Sequence, residues 1–147
     1  MTLHRQEMDM PRKSWVRDLV DPGGTLPKVI LINGQVKDEY QIKRIIYSGN
    51  EIGEAWMKGD KFRCFDRIAI LEQGRPKGCG LATYVYAIED ALYEGVTFGT
   101  SSGSLTEDTV KIWRILRDTG VARVNREFYP VPDNKFKGNY RVYPKTP

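Results

Sequence analysis

The 147-residue sequence predicts an α+β fold in which a mixed, mostly antiparallel β-sheet is flanked by helices. Short β-prone runs separated by Gly and Asn turns fill the first half of the chain. Two runs with apolar residues at helical spacing follow, and a short β-prone run lies between them. A basic, glycine-rich stretch, residues 75–80, separates the last early strand from the first long helix.

The N-terminal segment differs in character from the remainder of the chain. We interpret residues 1–26 as an arm or short helix and residues 27–147 as a single domain. A helix is predicted over residues 12–20, and the Pro-Gly-Gly sequence of residues 22–24 ends it. This helix either packs on the domain or serves as an arm that binds a partner.

The first half of the chain predicts consecutive antiparallel strands. Residues 29–32 form a short buried strand that the following Asn-Gly pair ends, and residues 40–57 form a hairpin around a turn at residues 48–50. The next strand covers residues 62–71. Its expected alternation on one side consists of Phe62, Cys64, Asp66, Ile68 and Ile70.

The second half predicts two helices and three strands. The first helix covers residues 81–94, and residues 96–98 return to the sheet through a β-α-β crossover. The second helix begins with a capping box at residues 104–107 and ends near residue 119. Its expected inward residues are Val110, Ile112, Trp113, Ile115 and Leu116. The last two strands are expected at residues 121–129 and 139–143.

Residues 75–80, Arg-Pro-Lys-Gly-Cys-Gly, have the composition of a phosphate-binding loop. The free N–H groups in the first turn of the following helix and the helix dipole attract an anion. Gly78 and Gly80 would let the backbone approach a ligand without a Cβ in between. Arg75 and Lys77 add two cations at its mouth. The sequence therefore predicts a phosphate-bearing ligand here.

The loop and the order of elements resemble the GNAT family of acyl-CoA-dependent N-acetyltransferases. That family carries Arg/Gln-x-x-Gly-x-Gly/Ala between its fourth strand and the next helix, and residues 75–80 match each fixed position. Residues 68–73 are similar to the family's strand-to-loop run, and Gly53 lies where many members have a glycine. The resemblance covers residues 28–143 and implies a three-layer α/β arrangement, the acyl-CoA N-acyltransferase fold.

The resemblance implies acetyl-CoA (coenzyme A) as the cofactor. The loop would hold the pyrophosphate through backbone N–H groups, and the preceding strand would pair with the pantetheine arm. An amine acceptor would attack the thioester directly, without a covalent enzyme intermediate. The residues implied in cofactor binding are Ile70, Leu71, Glu72, Arg75, Pro76, Lys77, Gly78, Cys79, Gly80 and Leu81.

The chain departs from the family pattern around the expected catalytic residues. Many members place a tyrosine in the last helix as the acid for the leaving thiolate, but Trp113 takes that position here. A Ser/Thr run, residues 100–104, replaces the Asn that commonly follows the fifth strand. Only a short segment separates the first strand from the hairpin, where the family usually has two helices that wall the acceptor site.

A base is needed to remove a proton from the acceptor ammonium. Asp66 and Glu72 lie on the strand before the loop, and Glu54 lies on its neighbour. Asp66 is the preferred base because it interrupts an apolar alternation, where burial would raise its pKa. The alternative for each carboxylate is an exposed position in solvent. The candidate acids, by elimination, are Ser104, Tyr129 and Tyr140.

The composition excludes several other chemistries. Cys64 and Cys79 are the only cysteines and His4 is the only histidine, so we predict no metal site, no disulfide framework and no His-activated nucleophile. Cys79 is interpreted as a packing residue rather than a reactive thiol. The sequence contains no signal-peptide core and no apolar run long enough to span a bilayer, so a cytoplasmic protein without membrane contact is expected.

Three functions remain open from the sequence. The leading one is an acetyl-CoA-dependent N-acetyltransferase whose acceptor is an amine-bearing small molecule or protein. The second is a GNAT-fold binding or structural protein without catalysis, such as a component of a virus-derived assembly. The third, which we do not favour, is a nucleic-acid-associated acyltransferase, because residues 133–141 interleave basic and aromatic residues and the net charge is +4. The sequence does not decide the oligomeric state, and a dimer is compatible with it.

Overall fold

The structure, a computed structural model, describes residues 14–59, 62–73 and 75–144. The described residues form three helices and seven strands. In chain order these are α1 (Trp15–Val20), β1 (Val29–Lys37), β2 (Tyr40–Tyr47), β3 (Asn50–Gly59), β4 (Arg63–Ile70), α2 (Cys79–Tyr93), β5 (Phe98–Gly99), α3 (Glu107–Asp118), β6 (Arg123–Val131) and β7 (Lys135–Val142). No helix in these ranges has the length and apolar character needed to cross a membrane.

The seven strands form one sheet in the order β1-β2-β3-β4-β5-β7-β6. Neighbouring strands are antiparallel except β4 and β5, which run parallel and share one register pair, Arg63 with Phe98. The helix α2 connects these two strands, as the predicted β-α-β crossover requires. The predicted mixed, mostly antiparallel sheet with flanking helices is confirmed.

The first strand is longer than the sequence predicts. The predicted end after Ile32 is wrong, because β1 continues to Lys37 and turns directly into β2. Asp38, with a φ of 53°, begins the turn. The far half of β1 is mostly exposed, so polar residues there do not mark the end of the strand. A direct hairpin therefore stands where the GNAT family usually has two helices.

The described helices pack on one face of the sheet. A single cluster of buried apolar side chains joins α1, α2 and α3 to the strands. Val110, Trp113 and Leu116 of α3 are buried as predicted, whereas Ile115 is 41% exposed and its predicted inward position is wrong. The described residues place no helix on the opposite face, where the buried apolar residues outside this cluster are Ile42 and Cys64.

An ion pair ties α1 to α2. Glu89 of α2 carries a charge, yet it is only 4% exposed. The Arg17 guanidinium donates two hydrogen bonds to the Glu89 carboxylate, at 2.6 and 3.2 Å, and the Ser14 hydroxyl donates a third. Residues 12–13, where α1 is predicted to begin, lie outside the described residues.

The last hairpin is longer and tighter than predicted. The strand β6 includes Pro130, which an edge strand tolerates because one side of its backbone pairs with no other strand. Asp133 and Asn134 form the turn with φ values of 67° and 56°, left-handed values that Asp and Asn adopt more readily than most residues. The strand β7 then begins at Lys135, earlier than predicted.

Candidate functional site

The strands β4 and β5 diverge immediately after their single register pair. Beyond Arg63, the described residues place no strand against that edge of β4, whereas its other edge pairs with β3 as far as Ile70. The Leu71 N–H donates to the Ile52 carbonyl of β3 at 2.8 Å. Since backbone groups of successive strand residues point to opposite edges, those of Ile68 and Ile70 face the open side. This edge offers donors and acceptors to an extended ligand.

Two cavities meet beside this open edge. The first, called the fork cleft, has a volume of about 250 Å³ and is lined by β4, α2, the start of α3 and the start of β7. The second, called the open-face pocket, has a volume of about 450 Å³ and is lined by β2, β3, β4 and residues 101–104. Asp66, Arg67 and Ser104 line both cavities.

Asp66 lies at a β-bulge where these cavities meet. The register between β3 and β4 shifts at this point, so Cys64 and Phe65 are both buried and Asp66 is exposed. The predicted alternation and the predicted burial of Asp66 are therefore wrong. The Tyr40 hydroxyl donates to the Asp66 carboxylate at 2.7 Å, and this hydrogen bond raises the pKa of Tyr40.

The other two candidate bases lie apart from the fork cleft. Glu72 is exposed just beyond the end of β4. Glu54 on β3 accepts a hydrogen bond from the indole N–H of Trp56 at 3.3 Å. Trp56 itself is only partly buried and lines the open-face pocket. Asp66 is the one carboxylate among these candidates that lines both cavities.

Of the three candidate acids, Ser104 alone lines the fork cleft. The Tyr140 side chain is buried, and its hydroxyl donates to Glu127. Burial and, to a smaller extent, this hydrogen bond raise the pKa of Tyr140. Tyr129 lies on the edge strand β6, where the Arg126 guanidinium stacks over its ring at 4.5 Å. Both tyrosines therefore have other contacts, on β6 and β7, and neither lines the fork cleft.

The fork cleft contains a phenol that is not among the candidate acids. Tyr84 on α2 is 3% exposed and lines the fork cleft together with Phe65 and Thr109. In the sequence it has the helical spacing of an apolar core residue, so the pattern gives no sign that it borders a cavity. The available signal is its hydroxyl, which a buried tyrosine normally directs toward a polar partner.

The basic loop leads into an N-terminus of α2 that has no side-chain cap. Gly78 is the N-cap residue, with a φ of 93°, and the first turn of the helix contains no acidic residue. Arg75 and Lys77 are exposed in the loop. The uncapped N–H groups, the helix dipole and the two cations together form a positive site that is open to an anion.

Both loop glycines also contact other parts of the chain. A Cβ at Gly78 would lie 3.3 Å from Leu26 and from Pro27, and a Cβ at Gly80 would lie 3.1 Å from Ile112 on α3. The expectation that these glycines only leave room for a ligand is therefore incomplete. They also let the segment before β1 and the helix α3 pack against the loop.

The two cysteines are free and buried. Burial raises the pKa of the Cys79 thiol, although Arg75 opposes this shift, and burial raises the pKa of Cys64 to about 11. Thiols with raised pKa values are poor nucleophiles at neutral pH. Within the described ranges, no group of three or more His, Cys, Asp or Glu side chains is arranged to hold a metal ion.

No protein-family model matches the chain, and no curated protein matches it in sequence. Solved structures do match it. The ribosomal-protein-S18-alanine N-acetyltransferase from Escherichia coli aligns with a TM-score of 0.54 and 14% identity over 76% of this chain and 74% of that chain. An acetyltransferase from Bacillus subtilis in complex with CoA aligns with a TM-score of 0.53 and 13% identity over 81% of this chain and 99% of that chain.

An acetyltransferase from Bacillus anthracis in complex with acetyl coenzyme A aligns with a TM-score of 0.50 and 12% identity. The alignment covers 74% of this chain but only 65% of the length of that protein. At such identities the similarity establishes the fold. The chain has the GNAT acyl-CoA N-acyltransferase fold, as the sequence resemblance predicts.

Proposed function

We propose, from the GNAT fold and the divergence of β4 from β5, that this protein is an acetyl-CoA-dependent N-acetyltransferase that acts on an amine. The observation that carries the proposal is the open edge of β4, which begins beside the fork cleft and ends near the uncapped N-terminus of α2. One edge thus connects a site for anions with a cavity of a size suited to a small acyl group.

The residues present fit acetyl-CoA. The first-turn N–H groups of α2, with Arg75 and Lys77 beside them, would hold the pyrophosphate. The open edge at Ile68 and Ile70 would pair with the pantetheine arm, and the fork cleft would take the thioester end. When bound, acetyl-CoA supplies an acetyl group activated as a thioester.

The acceptor amine would enter through the open-face pocket. Asp66 lines both this pocket and the fork cleft, so its carboxylate is placed to take a proton from the acceptor ammonium. Tyr40 holds that carboxylate through its hydroxyl hydrogen bond. The acceptor and the thioester would therefore meet from opposite sides of the sheet, with direct transfer between them.

A substitution that fills the fork cleft with a bulky side chain tests the proposal that the cleft holds the thioester end of acetyl-CoA. Ser104 lines both cavities, whereas Ser102 lines the open-face pocket, and both are exposed residues of one loop. In calorimetric titrations with acetyl-CoA, Ser104→Trp should weaken binding at least about tenfold, a loss of about 1.4 kcal/mol. The matched variant Ser102→Trp should bind acetyl-CoA like the wild type.

Absence of acetyl-CoA binding by the wild type would refute the proposal. The alternative of a GNAT-fold binding protein is favoured by one observation, the indole of Trp113 at the position of the family's tyrosine acid. That alternative would be supported if acetyl-CoA bound but no amine in a panel of polyamines, amino sugars and peptide N-termini became acetylated.

A further inference from the structure

Tyr84 occupies the point at which β4 and β5 separate. Its ring packs edge-on against Phe65 of β4, with 5.2 Å between the ring centroids, and against Phe98 of β5, with 6.1 Å between the centroids. Phe98 belongs to the only register pair of β4 with β5. Tyr84 therefore packs against the point at which β4 and β5 diverge and forms part of the wall of the fork cleft.

Tyr84 also packs against Trp113, the residue at the position of the family's tyrosine acid. The two rings meet edge-on with 5.7 Å between their centroids. The phenol of Tyr84 thus lies beside the position on α3 where many family members have a tyrosine and this chain has Trp113. Trp113 cannot replace that tyrosine, because an indole N–H does not give up its proton at neutral pH.

The surroundings keep the phenol protonated. Burial raises the pKa of Tyr84 well above its usual range, while hydrogen bonds with Trp113 and Thr109 favour the ionised form and oppose the shift. The phenol therefore holds the proton that an acid must give, and the two hydrogen bonds stabilise the phenolate that remains once the proton has left. The other charged groups that line the cleft are Asp66, Arg67 and Lys135.

We infer that Tyr84 is the acid of the proposed transfer and donates its hydroxyl proton to the sulfur of the departing coenzyme A. This inference rests on the proposed function. The acceptor nitrogen forms a bond to the acetyl carbon, and the carbon–sulfur bond breaks with its electron pair going to sulfur. The acceptor ammonium loses two protons in all: Asp66 passes the first to solvent, which leaves the neutral amine, and takes the second as the amide forms. Tyr84 gives its proton to sulfur, and water carries the second proton from Asp66 back to Tyr84. An ammonium and a thioester thus give an amide, a thiol and one proton released to solvent, and no other reagent is consumed.

The test uses Tyr84→Phe, which removes the hydroxyl and keeps the ring contacts. Tyr86→Phe is the matched control, because Tyr86 is also buried but lies two residues further along α2 and so faces another direction. The first readout is independent of activity: the pKa of the thiol of bound coenzyme A, followed by the ultraviolet absorbance of the thiolate. A hydrogen bond from Tyr84 stabilises the thiolate, so this pKa should be higher in Tyr84→Phe than in wild type and in Tyr86→Phe.

The second readout is the turnover of acetyl transfer. Loss of a positioned acid should lower kcat about 100-fold in Tyr84→Phe, with the affinity for acetyl-CoA unchanged. The variant Lys135→Met removes the ammonium group that lines the cleft and should lower kcat less than Tyr84→Phe does.

The outcomes separate the inference from the proposed function. If the wild type binds coenzyme A and acetylates an amine, while Tyr84→Phe changes neither the thiol pKa nor kcat, Tyr84 is a packing residue and the inference is wrong although the function stands. A large loss in Lys135→Met with none in Tyr84→Phe would assign the acid to Lys135. Failure of the wild type to bind coenzyme A would overturn both.

Discussion

The N-termini of α2 and α3 belong to the same layer of the molecule but have opposite chemistry. At α3, the Thr106 hydroxyl accepts a hydrogen bond from the Thr109 N–H at 3.3 Å, and Glu107 and Asp108 occupy the first turn. At α2, Gly78 has no side chain with which to cap the helix, and the first turn contains no acid. One terminus satisfies its own N–H groups and opposes its dipole with negative charge, and the other does neither.

This difference separates structural stabilisation from ligand binding. A terminus that the chain caps itself, as at α3, contributes to stability and repels a phosphate. A terminus without a cap loses that stabilisation unless an anion binds, and Arg75 and Lys77 make the approach of an anion favourable. The uncapped N-terminus of α2 gives the fold no capping stabilisation. This supports the proposal that it binds an anionic ligand.

Charge reversal at each terminus should have the largest effect. The double variant Arg75→Glu/Lys77→Glu should weaken acetyl-CoA binding about 100-fold, or about 2.7 kcal/mol, because two charge-assisted contacts are lost and two repulsions are added. Its free energy of unfolding should not fall and should rise by up to about 1 kcal/mol, since two acidic side chains would then lie beside the positive end of the helix dipole. Calorimetric titration and urea denaturation measure the two quantities.

The matched reversal at α3 is Glu107→Lys/Asp108→Lys. It should leave acetyl-CoA binding unchanged and lower the free energy of unfolding by about 1 kcal/mol, because two charges that favour the helix dipole become unfavourable. If only the net charge mattered, this variant, which gains four positive charges, would bind acetyl-CoA more tightly by as much as the first variant, which loses four, binds it more weakly. That result, or an equal loss of affinity in both variants, would contradict the contrast between the termini.

Substitution of Gly78 by Ala should have the next largest effect on the free energy of unfolding. Gly78 and Gly95 flank α2 with φ values of 93° and 75°, so Ala costs about 1 kcal/mol at either position through left-handed strain. A Cβ at Gly95 meets nothing within 4 Å, whereas a Cβ at Gly78 lies 3.3 Å from Leu26 and Pro27. The loss in unfolding free energy should therefore be about 2 kcal/mol for Gly78→Ala and about 1 kcal/mol for Gly95→Ala. Only Gly78→Ala should also weaken acetyl-CoA binding, and equal denaturation midpoints would contradict the packing role of Gly78.

The termini also show what the sequence can and cannot predict. The loop at residues 75–80 and the extents of α2 and α3 are local patterns, and the structure has both helices close to the predicted positions. The cap of α3 is different. The pattern Ser104-x-x-Glu107 satisfies the capping-box rule, but the Leu105 N–H and carbonyl both pair with Phe136 on β7, which holds residue 105 extended and delays the helix to Thr106.

Local sequence patterns also fail to predict the structure where β4 and β5 diverge. The exposure of Asp66 follows from a bulge that exists only when β4 pairs with β3, and one residue of shift reverses the side that every following side chain faces. The role inferred for Tyr84 depends on Phe65 and Phe98, which lie far apart in the chain and meet only in the folded sheet. Contacts between distant segments decide the site, whereas local patterns decide most of the elements.

The smallest expected effect separates the two possible caps of α3. Thr106→Ala removes the hydroxyl that accepts from the Thr109 N–H and should lower the free energy of unfolding by about 1 kcal/mol. Ser104→Ala removes the hydroxyl that the capping-box pattern selects, and it should change stability little because Ser104 is exposed and precedes the extended residue 105. Urea denaturation of the two variants measures this difference, and a larger loss for Ser104→Ala would return the cap to the position that the sequence predicts.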